Sequence, residues 1–304
     1  MTDAVPAAEG LAPYPYCPFG SPERCRFENR PILVLDRMVG PYEKAAIYRC
    51  GTCGHGVTRP SIADVGKLYE GRESQDYQRS DGRIGGAIKR FVFSRQAREI
   101  LRETGFSSGH AIDFACGSGV LTNAIAEALP AGSKMTALDF FERPPCAMPK
   151  VDYESFAALP QLAGQADLLT CFHALEHDDN PDQFLDRLLA LLRPGGTLVI
   201  EVPNMACVWG KMFGRFWDNW YLPYHRLHFT RASLRALVER RGLDVLLQSD
   251  IHVPSFGRSL ARAMGQPNTL PFLLAGVASF PLQWIGEKVS AEPAALRIVA
   301  RSRV

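Results

Sequence analysis

The sequence predicts an α/β fold, with a doubly wound and mostly parallel sheet, preceded by a small cysteine-containing module. Two observations predict this division. Short apolar runs alternate with helical patterns from residue 110 onwards, which indicates βαβ units around a parallel sheet. Four of the eight cysteines fall within residues 17–53, and the others are scattered singly. We therefore expect a module over residues 1–80 and a larger domain over residues 81–304.

The composition is that of an ordinary globular protein. The chain has 304 residues, of which 46% are hydrophobic and 22% charged, and this excludes disorder over most of its length. Its 34 Lys and Arg against 32 Asp and Glu leave a formal charge of +2, so we expect no nucleic-acid partner. The first residues lack the basic start and apolar core of a secretory signal, so we expect a cytoplasmic protein.

The N-terminal cysteines have the spacing of a metal site. Cys50 and Cys53 form a C-x2-C pair that precedes Gly54, and Cys17 and Cys25 form a looser C-x7-C pair. Four thiolates complete a tetrahedral zinc site, which supplies folding free energy to a short segment. No coordination position then remains for a substrate. We therefore predict a structural zinc in a zinc ribbon-like module.

Two alternatives to this zinc site remain open. His55 could replace one of the cysteines as a ligand, because it follows the C-x2-C pair directly. The cysteines could instead be two unrelated pairs of buried thiols.

The segment after the module predicts a linker and then a helix. Residues 67–77 and the glycine-rich residues 81–86 indicate the linker, and the helical pattern stops at Gly105. The apolar residues of the pattern predict one stripe along the helix: Ile84, Ile88, Phe91, Val92, Ile100 and Leu101.

The central and C-terminal regions supply the elements of the sheet. Asn180 and Pro181 are typical of the N-cap and first residue of a helix, and Thr230 caps another helix that Gly242 ends. Residues 193–196 predict a turn. Strands are predicted over residues 110–115, 135–139, 166–172, 197–202, 243–248 and 295–300.

A glycine-containing loop follows the first of these strands. It begins at Asp113 and reads D-x-x-x-G-x-G, where Gly117 and Gly119 permit a tight turn and the close approach of a ligand. Ligands of doubly wound sheets bind at the carboxyl ends of the strands, near the point where the strand order reverses. We therefore expect a nucleotide-containing cofactor at this loop.

The residues around the loop favour a cofactor without phosphate. Thr122 stands where a dinucleotide fingerprint has its third glycine, and Asp113 would repel a phosphate but could pair with an ammonium. Asp139 ends the next predicted strand, where its carboxylate can accept hydrogen bonds from both hydroxyls of an unphosphorylated ribose. S-adenosylmethionine has an ammonium, a sulfonium and a free ribose, and it has no phosphate.

An ordered set of motifs resembles the class I S-adenosylmethionine-dependent methyltransferases. The set comprises residues 113–119, Asp139, residues 172–177, residues 192–196 with the apolar strand after them, and residues 201–204 and 225–230. The resemblance implies a Rossmann-like, mostly parallel seven-stranded sheet. The N-terminal cysteines, with Tyr69 and Tyr77 after them, further resemble a zinc-containing bacterial subgroup, some of whose members methylate sugars or glycans.

The resemblance also implies the cofactor-binding residues. The loop around the methionine moiety is matched by Asp113, Ala115, Gly117 and Gly119. Asp139 matches the ribose ligand beside Phe140, and Asp152 or Tyr153 falls at the adenine. The segment beneath the transferred methyl group is matched by Phe172, His173 and Ala174. Two departures stand out. Ala115 replaces the usual first glycine, and the proline-rich residues 140–151 predict that the helix usually found there is missing.

The acceptor side is predicted from histidines and aromatic residues. A sugar hydroxyl is a poor nucleophile that benefits from a base, and the candidates are His225, then His177 and His228, with Tyr224 orienting the substrate. His173, Glu176 and His177 could instead cap the helix that follows. Residues 217–228 are interpreted as a substrate-facing lid or as a packed aromatic loop.

Residues 270–286 carry no charge but contain two prolines. They predict a buried or dimer-forming helix, or shallow membrane contact near a lipid-linked acceptor. The expected function is methyl transfer to a small-molecule or glycan acceptor, above all a sugar hydroxyl or sugar carbon, with O-, N- and C-methylation left open. The alternatives are a non-sugar or lipid-linked acceptor, an NAD-dependent oxidoreductase, and a catalytically silent zinc protein that binds a partner.

Overall fold

A small antiparallel sheet carries the N-terminal part of the chain. The computed structural model describes residues 26–36, 44–62, 65–69 and 82–303. The four strands of this sheet lie in the order β1 (Leu33–Asp36), β2 (Lys44–Arg49), β3 (Gly56–Arg59) and β9 (Leu227–His228). Val57 of β3 pairs with Leu227 of β9. A distant segment of the chain therefore completes the N-terminal sheet.

The larger sheet has seven strands. They are β4 (His110–Phe114), β5 (Lys134–Asp139), β6 (Asp152–Ser155), β7 (Ala166–Phe172), β8 (Leu192–Pro203), β10 (Leu243–Ile251) and β11 (Ala295–Ser302). Their spatial order is β10-β11-β8-β7-β4-β5-β6. The pairings from β6 to β8 are parallel, and β11 runs antiparallel to both of its neighbours. The expected mostly parallel seven-stranded sheet is confirmed.

Seven α-helices accompany the sheets in the described part of the chain. They are α1 (Gly82–Thr104), α2 (Val120–Ala128), α3 (Pro181–Leu191), α4 (Val208–Phe213), α5 (Arg231–Arg240), α6 (Phe256–Ala263) and α7 (Leu270–Ser290). The Asn180 side chain accepts a hydrogen bond from the Gln183 N–H, and Thr230 and Ser233 form a capping box. Both predicted N-caps are confirmed. Each such cap contributes about 1 kcal/mol by satisfying amides that lack a partner in the first turn.

Helices cover both faces of the seven-stranded sheet. Successive strand residues point to opposite faces, so Leu168 of β7 packs with Ile100 of α1 and Ile125 of α2, whereas Leu169 packs with Leu185 and Leu188 of α3. The central strands are consequently apolar along both faces, as is typical of parallel sheets.

The order in which successive strands are added to the sheet reverses at β4. This strand pairs with β5 on one side and with β7 on the other. A crevice opens at the carboxyl ends of strands at such a reversal, and here those ends are Phe114, Asp139 and Phe172.

The structure corrects several expectations about the elements. Helix α1 begins at Gly82, so residues 82–86 are helical and do not form a linker. Its predicted stripe is interrupted, because Phe91 and Val92 are exposed while Ile100 is buried. Strand β6 was not predicted, whereas residues 140–151 lack a helix, as expected. The predicted turn at 193–196 lies inside β8 as an irregularity in its pairing with β7.

Helix α7 is not the buried helix that its sequence suggested. Its exposed apolar side chains are Leu270, Leu273, Leu274, Val277, Leu282, Trp284, Ile285 and Val289. In the described part of the chain, no helix has the length and hydropathy needed to cross a membrane.

Candidate functional site

The loop between β4 and α2 lies at the crevice and has an unusual backbone. Ala115, Gly117 and Gly119 have φ angles of 60°, 55° and 70°. A side chain in this left-handed region costs about 1 kcal/mol, so Ala115 is mildly strained. A Cβ on Gly119 would lie 2.7 Å from the Met148 sulfur, whereas a Cβ on Gly117 would have no atom within 4 Å. The space beside Gly117 is therefore open to a ligand.

Asp139 joins the end of β5 to this loop. Its Oδ2 accepts a hydrogen bond of 2.8 Å from the Gly117 N–H, and its Oδ1 accepts one of 2.6 Å from the Phe140 N–H. The Cys116 thiol also contacts this carboxylate, and a carboxylate can accept about four hydrogen bonds in all, including those of ribose hydroxyls. The Phe140 side chain is 59% exposed beside it. The carboxylate, the open space and the exposed ring fit an adenosyl group.

Asp113 points into the protein interior. Its carboxylate accepts hydrogen bonds of 2.6 Å from the Thr122 hydroxyl and 2.7 Å from the Thr170 hydroxyl. Burial raises the pKa of Asp113 to about 6, although both hydroxyls oppose this shift. Asp113 thus ties α2 to β7, and Thr122 has a structural reason to stand in place of a glycine. Pairing of Asp113 with an ammonium stays a prediction.

The structure places Asp152, one of the two residues predicted at the adenine, away from the crevice. In the parallel pairing of β5 and β6, Asp152 lies opposite Thr136, and Ser155 lies opposite Asp139. Asp152 is therefore at the end of the strand away from the crevice, where its carboxylate lies 3.3 Å from the Lys134 ammonium. Residues at the carboxyl end of β6 face the crevice instead.

Tyr153 secures the segment after β5. Its hydroxyl donates a hydrogen bond of 2.6 Å to the Phe141 carbonyl oxygen. This contact holds the chain that carries Phe140, and a direct adenine contact by Tyr153 stays a prediction.

A charged network lies under the end of β7. His173 has a φ of 51°, and its Nε2 and Nδ1 lie 3.2 Å and 3.4 Å from the Glu201 and Glu176 carboxylates. Desolvation opposes the charged imidazole, but the two carboxylates outweigh it and raise the pKa of His173 to about 10. Arg297 donates two hydrogen bonds to Glu201 and one to Glu103. His173 is thus held as a cation beside Phe172 and Ala174, at the position predicted for the transferred methyl group.

Three acceptor-side groups converge beside this network. Glu176, His177 and His225 each offer one ligand atom, and these atoms lie within 4.8 Å of one another. Glu176 and His177 belong to a short 3-10 turn after β7. The His177 Nδ1 lies 2.5 Å from the Tyr69 hydroxyl. Burial lowers the pKa of His225 well below its usual value, and the nearby histidines lower it further, so His225 is neutral at pH 7.

The segment 217–228 is a packed aromatic loop and not an open lid. Its buried side chains are Trp217, Trp220, Leu222, Tyr224, His225, Arg226, Leu227 and His228. Arg226 anchors the loop, because its guanidinium bonds to the Asp179 carboxylate and to the Thr58 and Pro60 carbonyl oxygens. A buried cation requires such partners, so the N-terminal segment helps to build the site.

The structure separates the predicted catalytic residues into two groups. His225 and His177 lie in the cluster with Glu176. His228 lies outside it, with its Nε2 2.9 Å from the Thr58 hydroxyl. Tyr224 stacks on Tyr221 at 4.8 Å between ring centres.

A polar cavity of about 460 Å³ adjoins His225. It is lined by Asp218, Asn219, Tyr221, His225, Arg258, Ala261, Arg262, Gln266 and Asn268. Most of these side chains are donors or acceptors of hydrogen bonds. The cavity therefore offers hydrogen-bonding side chains to an acceptor.

Half of the predicted zinc site lies in the described residues. Cys50 is buried and Cys53 is partly buried. The Gly54 N–H donates to the Cys50 carbonyl oxygen at 2.9 Å, which closes a tight turn between the two thiols. This turn fits two thiolate ligands of one ion. Cys17 and Cys25 lie outside the described residues.

The sequence analysis did not identify the residues that hold the site residues in place. It gave no role to Thr58, Asp179, Arg226 or Arg297, because their contacts join residues more than 40 positions apart. One signal was available. Glu201 is the single charged residue in the predicted strand over residues 197–202, and a buried charge needs partners.

Comparisons with known proteins agree with this geometry. Residues 88–248, more than half of the chain, match a family model described as a methyltransferase domain. Ubiquinone biosynthesis O-methyltransferases from Aromatoleum aromaticum and Marinobacter nauticus are both 32% identical, over 118 and 107 residues. These matches cover 34% and 31% of this chain. The chain spans about half the length of these relatives, 48% and 44%.

Solved structures share the fold at low sequence identity. The [4+2]-cyclase SpnF superposes with a TM-score of 0.50 at 19% identity, over 81% of this chain and 97% of that one. Phosphoethanolamine N-methyltransferase 2 from Haemonchus contortus, in complex with S-adenosyl-L-methionine, gives 0.50 at 11% identity, over 82% and 63%. The comparisons favour methyl transfer over the oxidoreductase and silent-protein alternatives.

Proposed function

The chain belongs to the methyltransferase-domain family. From this premise we propose that it is an S-adenosylmethionine-dependent methyltransferase, and that it methylates a hydroxyl oxygen of a small polar acceptor, above all a sugar or glycan. The observation that carries the proposal is the cluster of Glu176, His177 and His225 next to a polar cavity. The names of the matched relatives, which are O-methyltransferases, support oxygen as the acceptor atom.

The crevice residues hold the cofactor in this proposal. When bound, S-adenosylmethionine supplies a methyl group on a sulfonium. Asp139 would accept hydrogen bonds from the ribose hydroxyls, Phe140 would contact the adenine, and the open space at Gly117 would receive the methionine moiety. The same contacts would hold the demethylated product, because none of them involves the methyl group.

The acceptor oxygen attacks the methyl carbon in line with the sulfur. The O–C bond forms as the C–S bond breaks, and sulfur leaves with the electron pair as a neutral thioether. Alignment in a dry pocket supplies much of the rate, but the hydroxyl must also lose its proton. The neutral His225 imidazole and the Glu176 carboxylate are the basic groups beside the cavity, and His177 is the next candidate.

A lipid-linked or aromatic acceptor is the second candidate. The exposed apolar side chains of α7 favour such an acceptor. This helix comes shortly after the cavity residues Gln266 and Asn268 in the chain. Apolar surface of this kind contacts membranes or a second copy of the chain. Vesicle sedimentation would test the membrane contact, and gel filtration would test the contact with a second copy. A protein that is monomeric and does not bind vesicles would exclude both contacts.

We also propose a structural zinc at the N-terminal cysteines. Cys50 and Cys53 would hold it together with Cys17 and Cys25, and the ion would fix β2 and β3, which flank the turn. Replacing Cys53 by serine should release thiolate-bound zinc in elemental analysis. Wild-type protein that folds without any thiolate-bound metal would contradict this proposal.

The experiment for the main proposal is the His225→Ala variant. It should lower turnover by about 10² to 10⁴-fold, while S-adenosylmethionine affinity in calorimetry changes little, because the cofactor contacts come from β4, β5 and their loops. His228→Asn is the matched control, since its side chain lies outside the cluster. Near wild-type turnover of His225→Ala at saturating cofactor would remove His225 from the mechanism.

A further inference from the structure

Glu176 is a buried carboxylate without a hydrogen-bond donor. Its side chain is 1% exposed, and neither carboxylate oxygen has a hydrogen-bond partner. The nearest basic atoms are the His173 Nδ1 at 3.4 Å and the His225 Nε2 at 3.8 Å from Oε1. Burying an anion without hydrogen bonds costs several kcal/mol unless a cation approaches it. The charged His173 meets part of this cost, and a second cation between Glu176 and His225 would meet more of it.

His225 presents a lone pair towards this carboxylate. Its Nδ1 lies 2.8 Å from the Asn219 carbonyl oxygen. A carbonyl oxygen can only accept, so Nδ1 carries the proton, and Nε2 of the neutral ring carries the lone pair. A lone pair facing a carboxylate at 3.8 Å is repulsive until a cation lies between them.

The contacts of the ring nitrogens of His225 and His177 are those of metal-binding histidines. Imidazoles that bind metals donate their other N–H to a carbonyl, a carboxylate or water, which fixes the ring and its tautomer. Asn219 has this role for His225, and the Tyr69 hydroxyl contacts the Nδ1 of His177. The backbone also holds the two segments together, because the Arg226 N–H donates to the Glu176 carbonyl oxygen at 2.7 Å.

We propose that Glu176, His177 and His225 bind a divalent first-row transition-metal cation. Two imidazoles and one carboxylate are a ligand set for zinc and for related ions that prefer nitrogen and oxygen. Three protein ligands leave at least one coordination position for another oxygen. His225 also lines the polar cavity, so an acceptor in the cavity can reach that position.

The role of the ion rests on the proposed function, although the site itself does not. A cation bound to the acceptor hydroxyl lowers its pKa, so the proton leaves to water in the cavity. The resulting alkoxide attacks the methyl carbon, and the C–S electron pair goes to sulfur. In the metal-bound protein, His225 and Glu176 would hold the cation, and this would replace the role as proton acceptors that they have in the metal-free mechanism above.

The test uses Co²⁺, whose absorption spectrum distinguishes thiolate ligands from nitrogen and oxygen ligands. Full-length wild-type protein, with its thiolate site filled by one equivalent of zinc, is titrated with Co²⁺, so that the N-terminal segment stays intact during the measurement. We expect one Co²⁺ per chain with a spectrum free of thiolate bands. Glu176→Gln and the partly buried His177→Ala should each weaken binding by about 100-fold or more.

Two controls keep the result interpretable. His228→Asn removes a buried histidine of the same loop outside the cluster and should retain Co²⁺ binding, and circular dichroism checks that each variant is folded. Unchanged Co²⁺ affinity in folded Glu176→Gln and His177→Ala would overturn the site. Methyl transfer at the full rate by chelated protein would overturn the role of the ion but leave the proposed methyl transfer intact.

Discussion

Asp139 and Asp152 are the same residue type on neighbouring strands, but only Asp139 lies at the crevice. Asp139 ends β5 and is held by the amides of Gly117 and Phe140. Asp152 begins β6 and pairs with Lys134. The position of Asp139 could be predicted, because the strand before it is apolar and ends at the acid. The position of Asp152 could not, because β6 has only four residues, none of them buried.

The first prediction compares these two acids. Asp139→Ala should weaken binding of S-adenosylmethionine and of its demethylated product by about 1.5 to 3 kcal/mol, through the loss of charge-assisted hydrogen bonds. Asp152→Ala is the matched control and should bind both as wild type does. Calorimetry measures both affinities. Equal affinities in Asp139→Ala and wild type would exclude Asp139 as the ribose ligand.

The second prediction concerns acid stability. Burial, together with the smaller effects of His55 and Arg226 that face it, lowers the pKa of His228 from 6.5 to about 3. Protonation therefore favours the unfolded chain. The contribution of His228 is complete above pH 6.5 and is lost as the pH falls towards 3, at about 1.4 kcal/mol per pH unit.

His228→Asn should remove this dependence. Between pH 7 and pH 5 the variant should lose about 2 kcal/mol less unfolding free energy than wild type. Denaturant unfolding at the two pH values gives the comparison, and His55 contributes equally to both proteins. Identical losses would show that His228 is accessible to protons in the folded state.

At the scale of elements, the loop after β4 determines how closely the cofactor can approach the backbone. Gly117 and Gly119 share a positive φ, but only Gly119 is surrounded by side chains. The motif could be predicted from the sequence. The difference between its glycines could not, because it depends on Met148 and its neighbours, which the chain brings back to the loop.

The third prediction separates these glycines. Gly117→Ala should cost about 1 kcal/mol of stability and should weaken S-adenosylmethionine binding at least 10-fold, because its methyl group enters the open space. Gly119→Ala should destabilise the protein more, because it also collides with Met148. Thermal unfolding and calorimetry measure the two effects. Wild-type affinity in Gly117→Ala would mean that the methionine moiety lies elsewhere.

At the scale of the whole molecule, segments next to both sheets contribute to the candidate site. Short apolar runs between helical patterns predicted the central strands, because parallel strands that are buried on both faces consist mostly of apolar residues. The sequence did not predict that β9 would complete the N-terminal sheet, since pairs such as Val57 and Leu227 are 170 positions apart. For the same reason, the contact of Tyr69 with His177 was outside the reach of local patterns.

The most direct measurement is the fate of a labelled methyl group. Purified protein is incubated with S-adenosylmethionine that carries ¹³C in its methyl group and with a panel of sugars, nucleotide sugars and phenols, and the product is identified by NMR and mass spectrometry. The account predicts one labelled methyl group on a hydroxyl oxygen, with markedly less product from His225→Ala. A labelled methyl group on nitrogen or carbon would contradict it.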